Sequence, residues 1–91
     1  MNRNEILEKI KLILVNKLKL VSKHELINEK TNLLKDFSID SVKIVNLLVE
    51  LEKTFQIDID SEDISFETLT DIPKMIDFID DVLSSGNNPE K

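Results

Sequence analysis

The sequence predicts an all-α fold, a small four-helix bundle of three longer helices and one short helix around a single core. Three observations predict it. Apolar residues recur at spacings of 3 and 4 along three separate segments. The one stretch that alternates polar and apolar, Gln56-Ile57-Asp58-Ile59-Asp60, is too short to build a sheet and has no second strand to pair with. The chain has 91 residues, 41% of them hydrophobic, enough to fold but with room for one core only.

In the first segment Leu7, Ile10, Leu14, Leu18 and Val21 form one apolar stripe, widened by Ile6 and Ile13. Lys9, Lys11, Lys17 and Lys19 fall mostly beside or opposite it. They read as the solvated face of a bundle helix rather than a membrane-surface element, since the protein is acidic and no Trp anchors the stripe. From about Ser22 to Ile39 the period breaks at Asn28, Thr31 and Asn32. This reads as a long connection pinned to the core by Leu33, Leu34 and Phe37. The second helix starts with Asp40 as N-cap and runs to about Phe55. Ile44, Leu47, Leu48, Leu51 and Phe55 form its core stripe. Val42, Val45 and Val49 form a second line, which either flanks a broad core contact or faces a partner. The segment 56–60 reads as an extended connector burying Ile57 and Ile59. A short helix around 62–66 follows, capped by Ser61 or Asp60. The last helix carries Ile72, Met75, Ile76, Ile79, Val82 and Leu83, with Thr70 as N-cap and Pro73 at its third position. Residues 1–83 are expected to form the domain and 84–91 a flexible polar tail.

Composition excludes several functions. No cysteine means no disulfide, Cys-ligated metal or thiol nucleophile. A single glycine, Gly86, excludes a Gly-rich phosphate loop. The lone His24 reads as an exposed loop residue without marked catalytic partners. No G-x-S-x-G elbow accompanies it, so the chain reads as no enzyme. Asp58, Asp60, Glu62 and Asp63 fail as a calcium loop. Its sixth and twelfth positions need Gly and Glu but hold Asp63 and Leu69, so no metal site is expected.

The net charge is −6, which argues against nucleic-acid binding. Residues 1–30 hold 7 basic and 4 acidic side chains, or +3; residues 31–91 hold 5 and 14, or −9. A partner of the second part is expected to present a basic patch. No apolar run is long enough to span a membrane. The N-terminus does not read as a secretory signal, so a cytoplasmic protein is expected, with monomer as the default.

Ser38-Ile39-Asp40-Ser41-Val42 places a hydroxyl at a helix start, where the positive end of the macrodipole favours an attached phosphate. The longer stretch Leu34-Lys35-Asp36-Phe37-Ser38-Ile39-Asp40-Ser41-Val42 resembles the modification site of acyl carrier proteins. Val49-Glu50-Leu51-Glu52-Lys53-Thr54-Phe55-Gln56-Ile57-Asp58-Ile59 resembles the end of that family's second helix and its exit loop. Thr68-Leu69-Thr70-Asp71-Ile72 is similar to its fourth-helix entry.

The resemblance implies an acyl-carrier-like bundle that carries rather than catalyses. Ser41 would accept a 4′-phosphopantetheine arm from coenzyme A through a separate transferase, and the arm's thiol would hold acyl groups as thioesters. Asp40 would belong to the transferase recognition motif. Val42, Val45 and Val49 match partner-facing positions, and Glu52 an acidic position that pairs with basic patches on transferases and synthases. Ile44, Leu51, Phe55 and Ile59 match positions lining an acyl-chain cleft. The chain departs from the family pattern at Ser38 (usually Gly), Val42 (usually Leu), Lys43 (often an acid) and Asn46 (often Glu). These departures put partner choice in question and make a specialised pathway (polyketide, nonribosomal peptide or D-alanyl transfer) as plausible as fatty-acid synthesis. The alternative is an unmodified helical adaptor that binds a partner protein.

Overall fold

In the computed structural model residues 2–60 and 64–84 are described. Helix α1 (Arg3–Leu12) starts at a reciprocal cap. Asn2 Oδ1 accepts the Glu5 N–H at 2.8 Å, and Glu5 Oε1 accepts the Asn2 N–H at 3.0 Å. Ile6, Leu7 and Ile10 are buried, as their spacing requires. The helix then widens into one π turn, Ile13–Lys17, closed by the Leu18 N–H on the Ile13 carbonyl at 2.8 Å. Lys19 takes a left-handed backbone (φ 55°) and reverses the chain, returning the Leu20 and Val21 amides to the Leu14 carbonyl. Val21 is therefore buried from the connection and not from the helical stripe.

The long connection holds more structure than its broken period suggests. A 3-10 turn spans His24–Leu26, and a short helix α2 spans Leu33–Phe37. The residues that interrupt the period are turn and cap residues. Thr31 Oγ1 accepts the Asn28 N–H, Asn32 Oδ1 accepts the Lys35 N–H, and Asp36 Oδ2 accepts the Asn32 N–H. Of the three expected pins, Leu33 is fully buried and Phe37 partly, but Leu34 is exposed. An α-helical turn can direct only part of its circumference inward. The connection is tied to the last helix by the Ile72 N–H on the Thr31 carbonyl at 3.0 Å.

Helix α3 (Ser41–Phe55) runs as expected from its Asp40 cap. The extended connector after it buries Ile57 and Ile59. Helix α4 (Phe66–Thr70) lies later than the sequence suggests, because Ser65 caps it: Ser65 Oγ accepts the Thr68 N–H at 3.1 Å. The stretch 61–63, which holds the expected cap Ser61, lies outside the described residues. Helix α5 (Ile72–Ser84) follows directly. Thr70 is not its cap, since its hydroxyl donates to the Glu67 carbonyl. The Asp71 carbonyl takes the first bond, from the Met75 N–H, and Pro73 stands second in the helix, where its missing N–H still costs nothing. Ser84, expected in the tail, closes this helix; 85–91 lie outside the described residues.

Helix α5 is the centre of the core. Ile72, Met75, Ile76 and Ile79 have no exposed surface. Helices α1 and α4 pack against it, and α3 packs against α4 and the π turn. Among the described residues there is no strand, only an isolated bridge between Asn32 and Asp71. The architecture is the expected all-α bundle, with one further short helix in the connection.

Candidate functional site

Asp40 sets the start of α3. Its backbone is extended (φ −83°, ψ 173°), its Oδ1 accepts the Lys43 N–H at 3.0 Å, and its carbonyl accepts the Ile44 N–H at 3.1 Å. Ser41 is thus the first helical residue, and it is exposed. The Ser41 and Val42 amides have no acceptor within a helix that starts here. An anionic group on the Ser41 hydroxyl would meet these amides and the positive end of a 15-residue helix.

Ser38, three residues earlier and also exposed, has the opposite surroundings. It ends α2 in a left-handed conformation (φ 53°, ψ 41°), with its amide on the Leu33 and Leu34 carbonyls. It stands at the negative end of a helix, among carbonyl oxygens. The positive φ also gives a reason for the family's usual glycine at this position.

The second apolar line of α3 points outward. Val42, Val45 and Val49 are 69%, 59% and 42% exposed. They do not flank a core contact, because Ile44, Leu47, Leu51 and Phe55 already fill the inward face. Ile44, Leu51, Phe55 and Ile59 are all buried in one cluster. Glu52 is half-buried, and its Oε2 accepts the Ile59 N–H at 2.9 Å while its carbonyl takes the Ile57 N–H. This carboxylate thereby holds the exit connector against the end of α3, a task its spacing alone did not reveal. The left-handed backbone of Gln56 (φ 55°) ends the helix and leaves the next amides in need of acceptors, which Glu52 supplies.

A sequence family described as a phosphopantetheine attachment site matches residues 8–79. An acyl carrier protein from Phytoplasma australiense is 38% identical over 68 residues, covering 74% of this chain and 87% of that protein. The chain belongs to the acyl carrier protein family. Members of this family carry and do not catalyse, and the cofactor of the matched domain is covalent 4′-phosphopantetheine. When bound, it supplies a terminal thiol for thioester chemistry, which a cysteine-free chain does not have. The residues fit such a group: an exposed serine stands at the first position of α3, whose first-turn amides have no acceptor within the helix.

Other candidates stay apart from this site. His24 Nε2 meets Asn16 Oδ1 at 2.8 Å and ties the connection back to the π turn. Among the described residues no three His, Asp or Glu side chains form a group that could hold a metal ion. Glu62 and Asp63 lie outside the described residues.

Proposed function

We propose that this protein is a discrete acyl carrier primed at Ser41. The observation that carries the reading is an exposed serine at the first position of α3, capped by Asp40, inside the segment that matches the attachment-site family. In priming, Ser41 Oγ forms a new bond to the phosphorus that joins pantetheine to the nucleotide of coenzyme A. The nucleotide portion leaves with its bonding electrons, and the hydroxyl proton passes to a base on the transferase. Asp40 contributes by fixing the helix start and by offering the transferase an exposed carboxylate beside the hydroxyl.

Val42, Val45 and Val49 form the strip on which transferases and acyl-handling enzymes dock. Ile44, Leu51, Phe55 and Ile59 lie where α3 and its exit connector could part to admit an acyl chain. Glu52 keeps that connector closed. A basic patch on a partner finds its counterpart beyond α3, where residues 56–91 hold 2 basic and 10 acidic side chains, a balance of −8. The protein works as a cytoplasmic monomer, and no helix of the described residues is long and apolar enough to cross a membrane. It serves either fatty-acid synthesis or a dedicated pathway such as polyketide, nonribosomal peptide or D-alanyl transfer. The unusual residues Lys43 and Asn46 support the dedicated pathway.

The test is intact mass after incubation with a broad-specificity phosphopantetheinyl transferase, coenzyme A and magnesium. The mass should rise by one phosphopantetheine arm, and Ser41→Ala should abolish the gain. No gain with several transferases would favour the unmodified adaptor.

A further inference from the structure

The apolar cluster of Ile44, Leu51, Phe55 and Ile59 starts one turn from Ser41 and runs to the far end of α3. Every member is buried, so an acyl chain enters only if part of the cluster moves. Its two sides are unequal. Ile44, Leu51 and Phe55 stand on a 15-residue helix held by its own backbone hydrogen bonds. Ile59 stands on the connector 56–60, where the amides have no helical partner. Glu52 supplies two acceptors: its carbonyl takes the Ile57 N–H at 3.1 Å, and its Oε2 takes the Ile59 N–H at 2.9 Å. The second bond reaches from the side chain of α3 to the residue that completes the cluster. The connector bears Asp58 and Asp60 on its outer side, both exposed, so lifting it outward draws neither carboxylate through the core. Glu52 is itself half-buried, and its carboxylate finds water once the bond parts. An incoming chain replaces the apolar contacts of Ile59 but not the hydrogen bond.

We propose that the bond from Glu52 to the Ile59 amide is a latch that sets the shortest acyl chain the protein shelters. This inference rests on the priming of Ser41 and concerns what the loaded arm can store. The bond favours the closed form by roughly five- to thirtyfold. Each methylene taken into the core favours entry by about fourfold. The latch therefore raises the threshold length by about two methylenes. Shorter chains stay in water, and longer ones open the connector.

A chain-length series tests it. Straight acyl arms from acetyl through decanoyl are loaded from the matching acyl coenzyme A by a broad-specificity phosphopantetheinyl transferase, with intact mass showing complete loading. Entry is read from the NMR methyl shifts of Ile44 and Leu51, each against the unacylated holo form of the same variant. In the wild type, the first length that moves these methyls should also speed hydrogen exchange of the Ile59 amide. Glu52→Ala should lower that length by about two carbons. Glu52→Gln, which keeps an uncharged acceptor, should fall between and serves if the alanine variant does not fold. Glu5→Ala removes half of the α1 cap and should leave the threshold where it was. An unchanged threshold in both Glu52 variants, or chain entry with the Ile59 amide still protected, would overturn the latch. So would methyl shifts that stay put at every length, although priming of Ser41 would then still stand. A wild-type chain that takes no arm would overturn the carrier reading itself, a result distinguishable by mass alone.

Discussion

Helices α3 and α5 are similar in length and both amphipathic, yet they use their apolar residues differently. In α5 the apolar period is accounted for by the core, with Ile72, Met75, Ile76 and Ile79 fully enclosed and Val82 and Leu83 partly so. Its exposed side bears acids such as Asp77 and Asp81. In α3 a complete core face coexists with three valines that the fold leaves in water. A small domain has one core to fill, so apolar surface beyond that need is what the proposed docking of a partner would use. Helix α5 holds the fold, and α3 is the helix proposed to present the site.

Breaking the inner helix should have the largest effect. Ile76→Asp places a carboxylate where no surface reaches water. The cost should exceed about 4 kcal/mol against a total stability of roughly 5–14 kcal/mol for this length. Loss of the helical circular-dichroism signal near room temperature is the expected outcome; retained helicity would show that α5 is not the core element.

Glu52→Ala leaves the Ile59 amide without its acceptor and should cost about 1–2 kcal/mol, read from the midpoint of urea unfolding. Ser38→Gly relieves a left-handed backbone at the end of α2. It should stabilise by about 0.5 kcal/mol, the αL penalty less the extra entropy of glycine unfolded. Val45→Asp should change stability least, within about 0.5 kcal/mol, since the side chain is 59% exposed. It should nonetheless slow priming of the folded protein. A large loss of stability there, with priming intact, would reverse the roles assigned to the two helices.

The sequence made the long helices legible because their periodicity is local: the Asp40 cap, the core stripe of α3 and the inner face of α5 all lie where spacing puts them. The π turn after α1, α2 and the onset of α4 were not legible. These pieces are too short for a period to show. They depend on individual side chains holding amides, at Asn32 and Ser65, and on the tie between Thr31 and Ile72. At the site, Ser41 and the valine line were legible as candidates, but the burial that decides between the readings of the valines was not. The engagement of Glu50 and Glu52 also escaped the sequence, because Lys17 and the Ile59 amide reach them only after folding.

Two neighbouring serines could each serve as the anchor. Ser38 and Ser41 are three residues apart and both exposed, one at the carbonyl end of α2 and one at the amide end of α3. Peptide mapping of the primed protein by tandem mass spectrometry distinguishes them directly. The phosphopantetheine arm is expected on Ser41 alone; an arm on Ser38 or any other serine would overturn the assignment of Ser41 as the anchor.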